Sequence, residues 1–461
     1  MAFSLIDETR GAIPIVALTK KGLAPWLDAA PEQQRGWLRA IGFSAEAGKL
    51  ALVPGDTGGL ARALVGLGAS SEAAAPIWAL AGLPETLPEG SYRLESVPEG
   101  MDATRLALGW ALGAYAFTRY HAKPASAAAL VWPKGADRGQ VGRLASAVFL
   151  ARDLINTPAG DLGPEELADA AVRVAEVAGA CHRVIVGDEL LAENYPTIHA
   201  VGRASTRAPR LVDIVWGEPS APRVTLVGKG VCFDSGGLDL KTAAGMRLMK
   251  KDMGGAAIML GLAQAIIDAK LPVRLRVLLP CVENSVSGNA MRPMDIVRTR
   301  KGLTVEIGNT DAEGRLILCD ALAEAATEKP ALLIDMATLT GAARVALGPE
   351  LAALFCNDDA LAHGLLDAAE AEADPMWRMP LWRPYRKMLD SKVADLNNVS
   401  DGPHAGAITA ALYLQEFVEP DISWAHLDVM AWNPQSRPGR PEGAEAHALR
   451  GLYGYIAQRF A

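Results

Sequence analysis

The sequence predicts an α/β protein of two domains: a small N-terminal α/β domain, and a larger C-terminal three-layer α/β/α domain built on a mixed, mainly parallel sheet. Three observations carry this. The chain has 461 residues, too many for one average domain. Short apolar runs of strand character alternate with stretches of helical periodicity, the pattern of a parallel sheet covered on both faces. One helical segment, stopped by Asn156-Thr157-Pro158-Ala159, separates a region without concentrated chemistry from a region rich in it. The expected boundaries are 1–135 for the first domain, 136–160 for the linking helix and 161–461 for the second domain.

In the first domain Ile13–Leu18 and Lys49–Val53 read as strands, and Glu32–Ala40 and Thr57–Val65 as helices. Leu106–Phe117 is apolar but too short to span a bilayer, so it reads as a buried helix. Arg138–Leu154 carries Val141, Leu144, Ala145, Val148 and Phe149 at helical spacing. Pro164-Glu165-Glu166 opens the next helix, with a proline and acids in its first turn. Strands are then expected at Arg183–Val186, Leu211–Trp216, Val224–Val227, Val273–Val282, Thr304–Ile307 and Ala331–Met336. Helices are expected at Gly255–Ile267 and Asp320–Ala326.

Bulk properties remove several classes of function. Half the residues are hydrophobic and 21% are charged, a globular balance. The net charge is −8 and no lysine- or arginine-rich run occurs, so sequence-independent nucleic-acid binding has no footprint. The N-terminus lacks a basic segment followed by an apolar one, so no signal peptide is read; a cytoplasmic location and no membrane partner are expected. Five cysteines without a C-x-x-C pair argue against a disulfide framework or a zinc knuckle, and Cys232 and Cys319 are expected to be buried small hydrophobes.

The chemistry concentrates in two places. Asn309-Thr310-Asp311-Ala312-Glu313-Gly314-Arg315-Leu316 sets two carboxylates one residue apart, with a guanidinium two residues further on. Upstream, Lys229, Asp234, Lys241 and Asp252 are spread over glycine-rich sequence. Buried carboxylates this close repel unless cations lie between them, so the set suits a pair of divalent ions such as Mg, Mn or Zn beside an anion site. Plainer readings exist for each piece. Gly228-Lys229-Gly230 suits an exposed turn, Asp252 suits a helix cap, and Asp311 and Glu313 suit the first turn of a helix. The glycines do not have phosphate-loop spacing, and the histidines form no H-E-x-x-H, so His404, His426 and His447 read as structural. Lys250 and Lys251 read as a solvated face. A metallophosphatase shares two-metal carboxylate chemistry, and a binding protein without catalysis is the remaining class.

Val227-Gly228-Lys229-Gly230 through Asp234-Ser235-Gly236-Gly237, Met249 to Gly255, the octapeptide Asn309 to Leu316 and Ala337-Thr338-Leu339-Thr340-Gly341-Ala342 together resemble the leucyl aminopeptidase family of cytosolic metallopeptidases. The likeness covers roughly Ala151 to Trp432, and the octapeptide is its signature. The resemblance implies a metallopeptidase domain over 161–461 that removes an N-terminal residue from peptides. It implies that Lys229, Asp234, Asp252 and Glu313 hold one metal, and that Asp234, Glu313 and Asp311 hold a second, as Mn or Zn. Lys241 would face the substrate carbonyl, Arg315 would hold a bicarbonate ion, and Met249, Thr338, Leu339 and Gly341 would line an apolar pocket for Leu or Met. The substrate's free amine, whose pKa is near 8, would bind a metal as neutral amine, which implies a mildly alkaline optimum. The partners implied are peptides with a free N-terminus and five further copies of the chain in a homohexamer. Two departures bear on the pocket. Met430 stands where a small residue is usual, and Gly443-Ala444-Glu445-Ala446-His447 replaces Gly-Ala-Thr-Gly.

Overall fold

The computed structural model describes residues 3–7, 9–69, 76–121 and 128–460. The chain divides into two compact units, Met1–Ser146 with Gln435–Glu442, and Ala147–Pro434 with Gly443–Ala461. No helix among the described residues is long and apolar enough to cross a membrane.

The first unit is a six-stranded sheet in the order Leu5–Ile6, Ala128–Val131, Gly90–Leu94, Ile13–Leu18, Leu60–Gly66, Leu50–Pro54. Its neighbours are parallel except for the last pair, an antiparallel hairpin. Glu32–Ala40 is the helix the sequence predicts. The apolar run from Leu106 forms the buried helix Ala103–Gly113, capped by Asp102 accepting from the Arg105 N–H at 2.9 Å.

One expectation fails here. Thr57–Val65 is not a helix; Leu60–Gly66 is a strand. Alanine and leucine suit a helix in isolation, but Ala63 to Gly66 pair with Ile15 to Leu18 on one side, and the strand pairs with Leu50–Pro54 on the other. The preceding Gly55-Asp56-Thr57-Gly58-Gly59 is a hairpin turn, with Gly58 at φ 82° and Gly55 donating its N–H to Gly59 at 2.7 Å.

The second unit is a three-layer α/β/α sandwich. Across its sheet run Met376–Arg378, Ala352–Cys356, Trp424–Asp428, Leu332–Ala337, Arg223–Gly228, Arg274–Asn284, Arg210–Trp216 and Cys181–Val186; Gly230–Asp234 pairs with the distal part of Arg274–Asn284. The centre, Trp424–Asp428 to Arg274–Asn284, is parallel, and antiparallel pairs flank it. This is the mixed, mainly parallel sheet that strand–helix alternation predicts. The central strands are almost wholly buried, because both faces are covered.

The helix Gly254–Asp268 is apolar nearly all round and buried accordingly. Its N-terminus lies so close to the sheet that a Cβ on Gly255 would fall 2.1 Å from the Met336 carbonyl oxygen, so glycine is required there. The helix Gly314–Thr327 joins a core with Val227, Leu278 and Leu333 through Leu316, Ile317 and Leu322. Pro164–Val177 starts where the sequence places it, with the Glu166 carboxylate accepting from the Gly163 N–H at 2.8 Å.

Arg152 and Glu445 form a buried pair in this unit, 3.1 Å apart, and Glu445 also accepts from Asn433 at 2.7 Å. Burial works to raise the Glu445 pKa, but Arg152 outweighs it and holds the carboxyl down at about 2. The folded value lies below the ordinary 4.5, so the stabilisation is full above that value and is lost as pH falls toward 2. We expect Glu445→Gln to cost about 3–5 kcal/mol at neutral pH, by leaving a buried charge without its partner. Denaturant titrations from pH 7 to 3 check this: the gap between the two proteins should narrow below about pH 4.5.

Candidate metal centre

The carboxyl ends of the parallel strands carry the polar side chains of the second unit, where crevices of open α/β sheets form. Lys229 follows Arg223–Gly228, Asp234 ends Gly230–Asp234, Asn284 ends Arg274–Asn284, Thr338 follows Leu332–Ala337 and Asp428 ends Trp424–Asp428. Loops add Lys241, Asp252 on the Met249–Met253 turn, and the segment Asn309–Arg315.

These residues converge. Lys229 Nζ lies 2.8 Å from Asp252 Oδ2 and 2.9 Å from Glu313 Oε1, and donates to the Thr338 carbonyl at 3.2 Å. Lys241 Nζ lies 2.8 Å from Asp234 Oδ2 and 2.5 Å from Asp311 Oδ1. Asp234, Asp252 and Glu313 each place a carboxylate oxygen within 4.8 Å of the others, all buried. Of the five residues predicted to hold metal, Lys229, Asp234, Asp252 and Glu313 gather together, and Asp311 joins them through Lys241, which it shares with Asp234.

The plainer readings do not hold for these residues. Lys229 is 3% exposed, so Gly228-Lys229-Gly230 is not a solvated turn. The helix after Asp252 has Met253 at its N-cap, and Asp252 instead accepts from Thr338 Oγ1 at 2.7 Å. Glu313 occupies an N-cap position but makes no capping bond; its side chain turns to Lys229. Gly314 makes room for this, because a Cβ there would lie 2.6 Å from Lys229 Cε.

The electrostatics fit a cation site. Burial and the neighbouring Asp234 push Glu313 up to about 8, and burial with Asp252 pushes Asp234 up to about 6. Burial also opposes ionisation of Asp252, but Lys229 and Lys251 outweigh it and hold that carboxyl down. Asp252 Oδ2, Asp311 Oδ1 and Glu313 Oε1 lie at ion-pair distance from the lysine nitrogens, yet accept no hydrogen bond in good alignment. Four carboxylates face two ammonium groups, so negative charge is left over in a buried space. Hard divalent cations suit such a donor set.

Arg315 lies on the first turn of Gly314–Thr327, is 7% exposed and lines the same cleft. One of its Nη atoms donates to the Asn398 carbonyl at 2.6 Å, and its guanidinium lies 6.0 Å from the Tyr413 ring centre. Its Nε has no hydrogen-bond partner, which fits an anion site. The cleft, about 610 Å³, is also bordered by Met249, Thr338, Leu339 and Gly341, the four residues expected to form the substrate pocket, and by Met430.

Sequence reasoning missed the residues that hold the loops in place. Asn398 is fully buried. Its carboxamide oxygen accepts from the Gly308 and Asn309 N–H groups at 2.8 and 3.2 Å, and its nitrogen donates to the Asn309 and Ala312 carbonyls at 2.8 and 3.3 Å. Asn284 donates to Asp234 Oδ1 at 2.8 Å and to the Thr310 carbonyl at 3.1 Å. Asp428 accepts from the Leu339 and Thr340 N–H groups and from Thr340 Oγ1. No local pattern marks Asn398, which lies 83 residues or more from the atoms it binds. Asn284, at the end of an apolar strand, was the one with a readable signal.

Lys250 and Lys251 are not a solvated face. Lys250 donates to the Asn156 carbonyl at 2.6 Å and lies over Trp432, while Lys251 is 6% exposed and borders the cleft. Burial pushes the Lys251 ammonium down to about 8. His426 is buried and paired with Asp335 at 2.6 Å, the structural role expected of it.

Two substitutions test the support of the centre. Asn398→Ala removes four hydrogen bonds to the Gly308–Ala312 segment and should weaken manganese binding about 10- to 100-fold, as loss of such orienting partners does. Gly314→Ala should displace the Lys229 amine and lower metal affinity by at least about 10-fold, with a stability loss of about 1–3 kcal/mol. Metal titration and thermal unfolding of each variant provide both readouts.

Comparison with known proteins agrees with this geometry. The profile of the cytosol aminopeptidase family catalytic domain matches residues 149–453, and that of the M17 aminopeptidase N-terminal domain matches residues 13–133. The crystal structure of the cytosol aminopeptidase from Coxiella burnetii is 48% identical and superposes with a TM-score of 0.95 over 100% of both chains. The bottromycin maturation enzyme BotP in complex with Mn is 35% identical, with a TM-score of 0.89 over 97% of this chain and 99% of that one. The probable cytosol aminopeptidase of Roseiflexus castenholzii is 45% identical over 323 residues, which are 69% of this chain and 65% of that protein. With both domain profiles matched in order, the chain belongs to the cytosol aminopeptidase family.

Proposed function

We propose that the protein is a dinuclear metal-dependent aminopeptidase that hydrolyses the bond after the first residue of peptides with a free N-terminus. The observation that carries this is the buried cage of Asp234, Asp252 and Glu313, whose oxygens lie within 4.8 Å of one another beside Lys229, Lys241 and Asp311.

Lys229, Asp234, Asp252 and Glu313 would hold one divalent ion, and Asp234, Glu313 and Asp311 a second, as manganese or zinc. Bound there, the ions would supply Lewis acidity, lowering the pKa of a water toward neutrality and polarising the scissile carbonyl. Lys229 can serve as a ligand only as the neutral amine. Burial favours that form, but Asp252 and Glu313 outweigh it and hold the proton on. Neutralising those carboxylates releases the proton, so metal uptake should be coupled to proton loss.

Lys241 is 15% exposed at the cleft, where an ammonium can donate to the oxygen that becomes negative as the carbonyl is attacked. Arg315, with Nε free of protein partners, would hold a bicarbonate ion that supplies a base. Met249, Leu339 and Met430 give the pocket for the first side chain an apolar wall, on which Leu or Met would pack; Thr338 and Gly341 complete it. Assembly as a homohexamer and a cytoplasmic location are part of the same proposal, and the family likeness supports them.

The decisive assay is hydrolysis of leucine p-nitroanilide by manganese-loaded protein, beside p-nitrophenyl phosphate and a chelator control. Cleavage of the anilide alone, abolished by the chelator, is expected; cleavage of the phosphate ester alone would replace the reading with phosphoryl transfer. Glu313→Ala should abolish activity and reduce bound metal. Lys241→Ala should lower turnover about 100- to 1,000-fold with metal content intact by elemental analysis. Full turnover in that variant would remove Lys241 from the reaction.

A further inference from the structure

Resting on the aminopeptidase reading, we propose that Lys251 tunes the first-residue pocket for a glutamate-like side chain: an aliphatic stem ending in a carboxylate.

Lys251 is 6% exposed and borders the cleft, yet among the described residues its ammonium makes no hydrogen bond and no ion pair. The residue is buried along its stem and opens on the cleft, so its ammonium has no fixed protein partner there. The two carboxylates that act on it electrostatically are Asp252 and Asp428, and both are committed elsewhere. Asp252 holds Thr338 Oγ1 with one oxygen and faces Lys229 with the other. Asp428 accepts from the Leu339 and Thr340 N–H groups and from Thr340 Oγ1. An anion that enters the cleft therefore finds a cation not already held by a protein carboxylate.

The surroundings select the shape of that acceptor. Met249, Leu339 and Met430 line the same cleft and suit methylene groups. A second cation borders the pocket. Arg344 is exposed, its side chain makes no hydrogen bond or ion pair among the described residues, and a Cβ on Gly341 would lie 4.0 Å from its Nη2. An apolar stem carrying a terminal anion satisfies both the walls and the cations. A purely apolar side chain leaves Lys251 without a partner.

The test compares glutamate, glutamine, leucine and lysine p-nitroanilides with manganese-loaded full-length protein. Glutamate should exceed glutamine in kcat/KM by about 10-fold or more, the scale of a hydrogen bond to a charged group. Lys251→Met should collapse the glutamate-to-leucine ratio by about 10- to 100-fold. Lys251→Glu should raise the lysine substrate over the glutamate one, a gain that misfolding does not produce. Titration calorimetry on the metal-free protein should show glutamate binding tighter than leucine, a preference absent in Lys251→Met. Equal rates for glutamate and glutamine, with a ratio that Lys251→Met leaves unchanged, overturn the proposal. A Lys251→Met defect on free dipeptides but not on anilides also overturns it, and gives the ammonium to the peptide C-terminus instead. Cleavage of leucine but not glutamate sinks this inference alone, whereas no cleavage of any substrate sinks the aminopeptidase reading with it.

Discussion

Repulsion between carboxylates that the fold forces together is the constraint on which the rest of this structure depends. Asp234, Asp252 and Glu313 are buried where water cannot screen them, with Asp311 beside them. Lys229 and Lys241 answer only part of that charge. A buried cluster of this kind is retained at a cost in stability, because apolar residues of equal volume would serve the core better. Its place at the carboxyl ends of the parallel strands, where such sheets form crevices, is what separates a site from a core defect.

Holding such a cluster demands rigidity from its surroundings. The central strands supply it for Lys229, Asp234 and Thr338, which leave the sheet at fixed points. The octapeptide segment is tied to the sheet through Asn284, which donates to the Thr310 carbonyl. A second buried asparagine, Asn398, holds it too by matching its carboxamide to backbone groups on both sides of Asn309. Its own carbonyl then receives Arg315, so one residue holds both the acidic loop and the guanidinium. Glycines do the complementary work: Gly255 lets the helix meet the sheet, and Gly314 leaves the path of the Lys229 side chain open.

The cleft beside the cluster is neither purely apolar nor purely polar. Methionine and leucine side chains make up part of its wall, and Lys251 and Arg344 add cations among its polar residues. Beside Lys251, Asp252 has both oxygens engaged, one by Thr338 and one by Lys229.

Much of this was legible in the sequence. Alternation of strands and helices predicted the mixed, mainly parallel sheet, because apolar periodicity follows directly from which faces are buried. The acidic octapeptide and the upstream lysines and aspartates were legible because residues of that chemistry stand out at short range. The strand at Leu60–Gly66 was not, since its composition favours a helix and only pairing with two neighbours makes it a strand. Asn398 and the burial of Lys251 were not legible for the same reason. A hydrogen bond across more than 80 residues, or a lysine stem closed off from water, exists only once distant segments meet, and no local pattern of residues encodes that meeting.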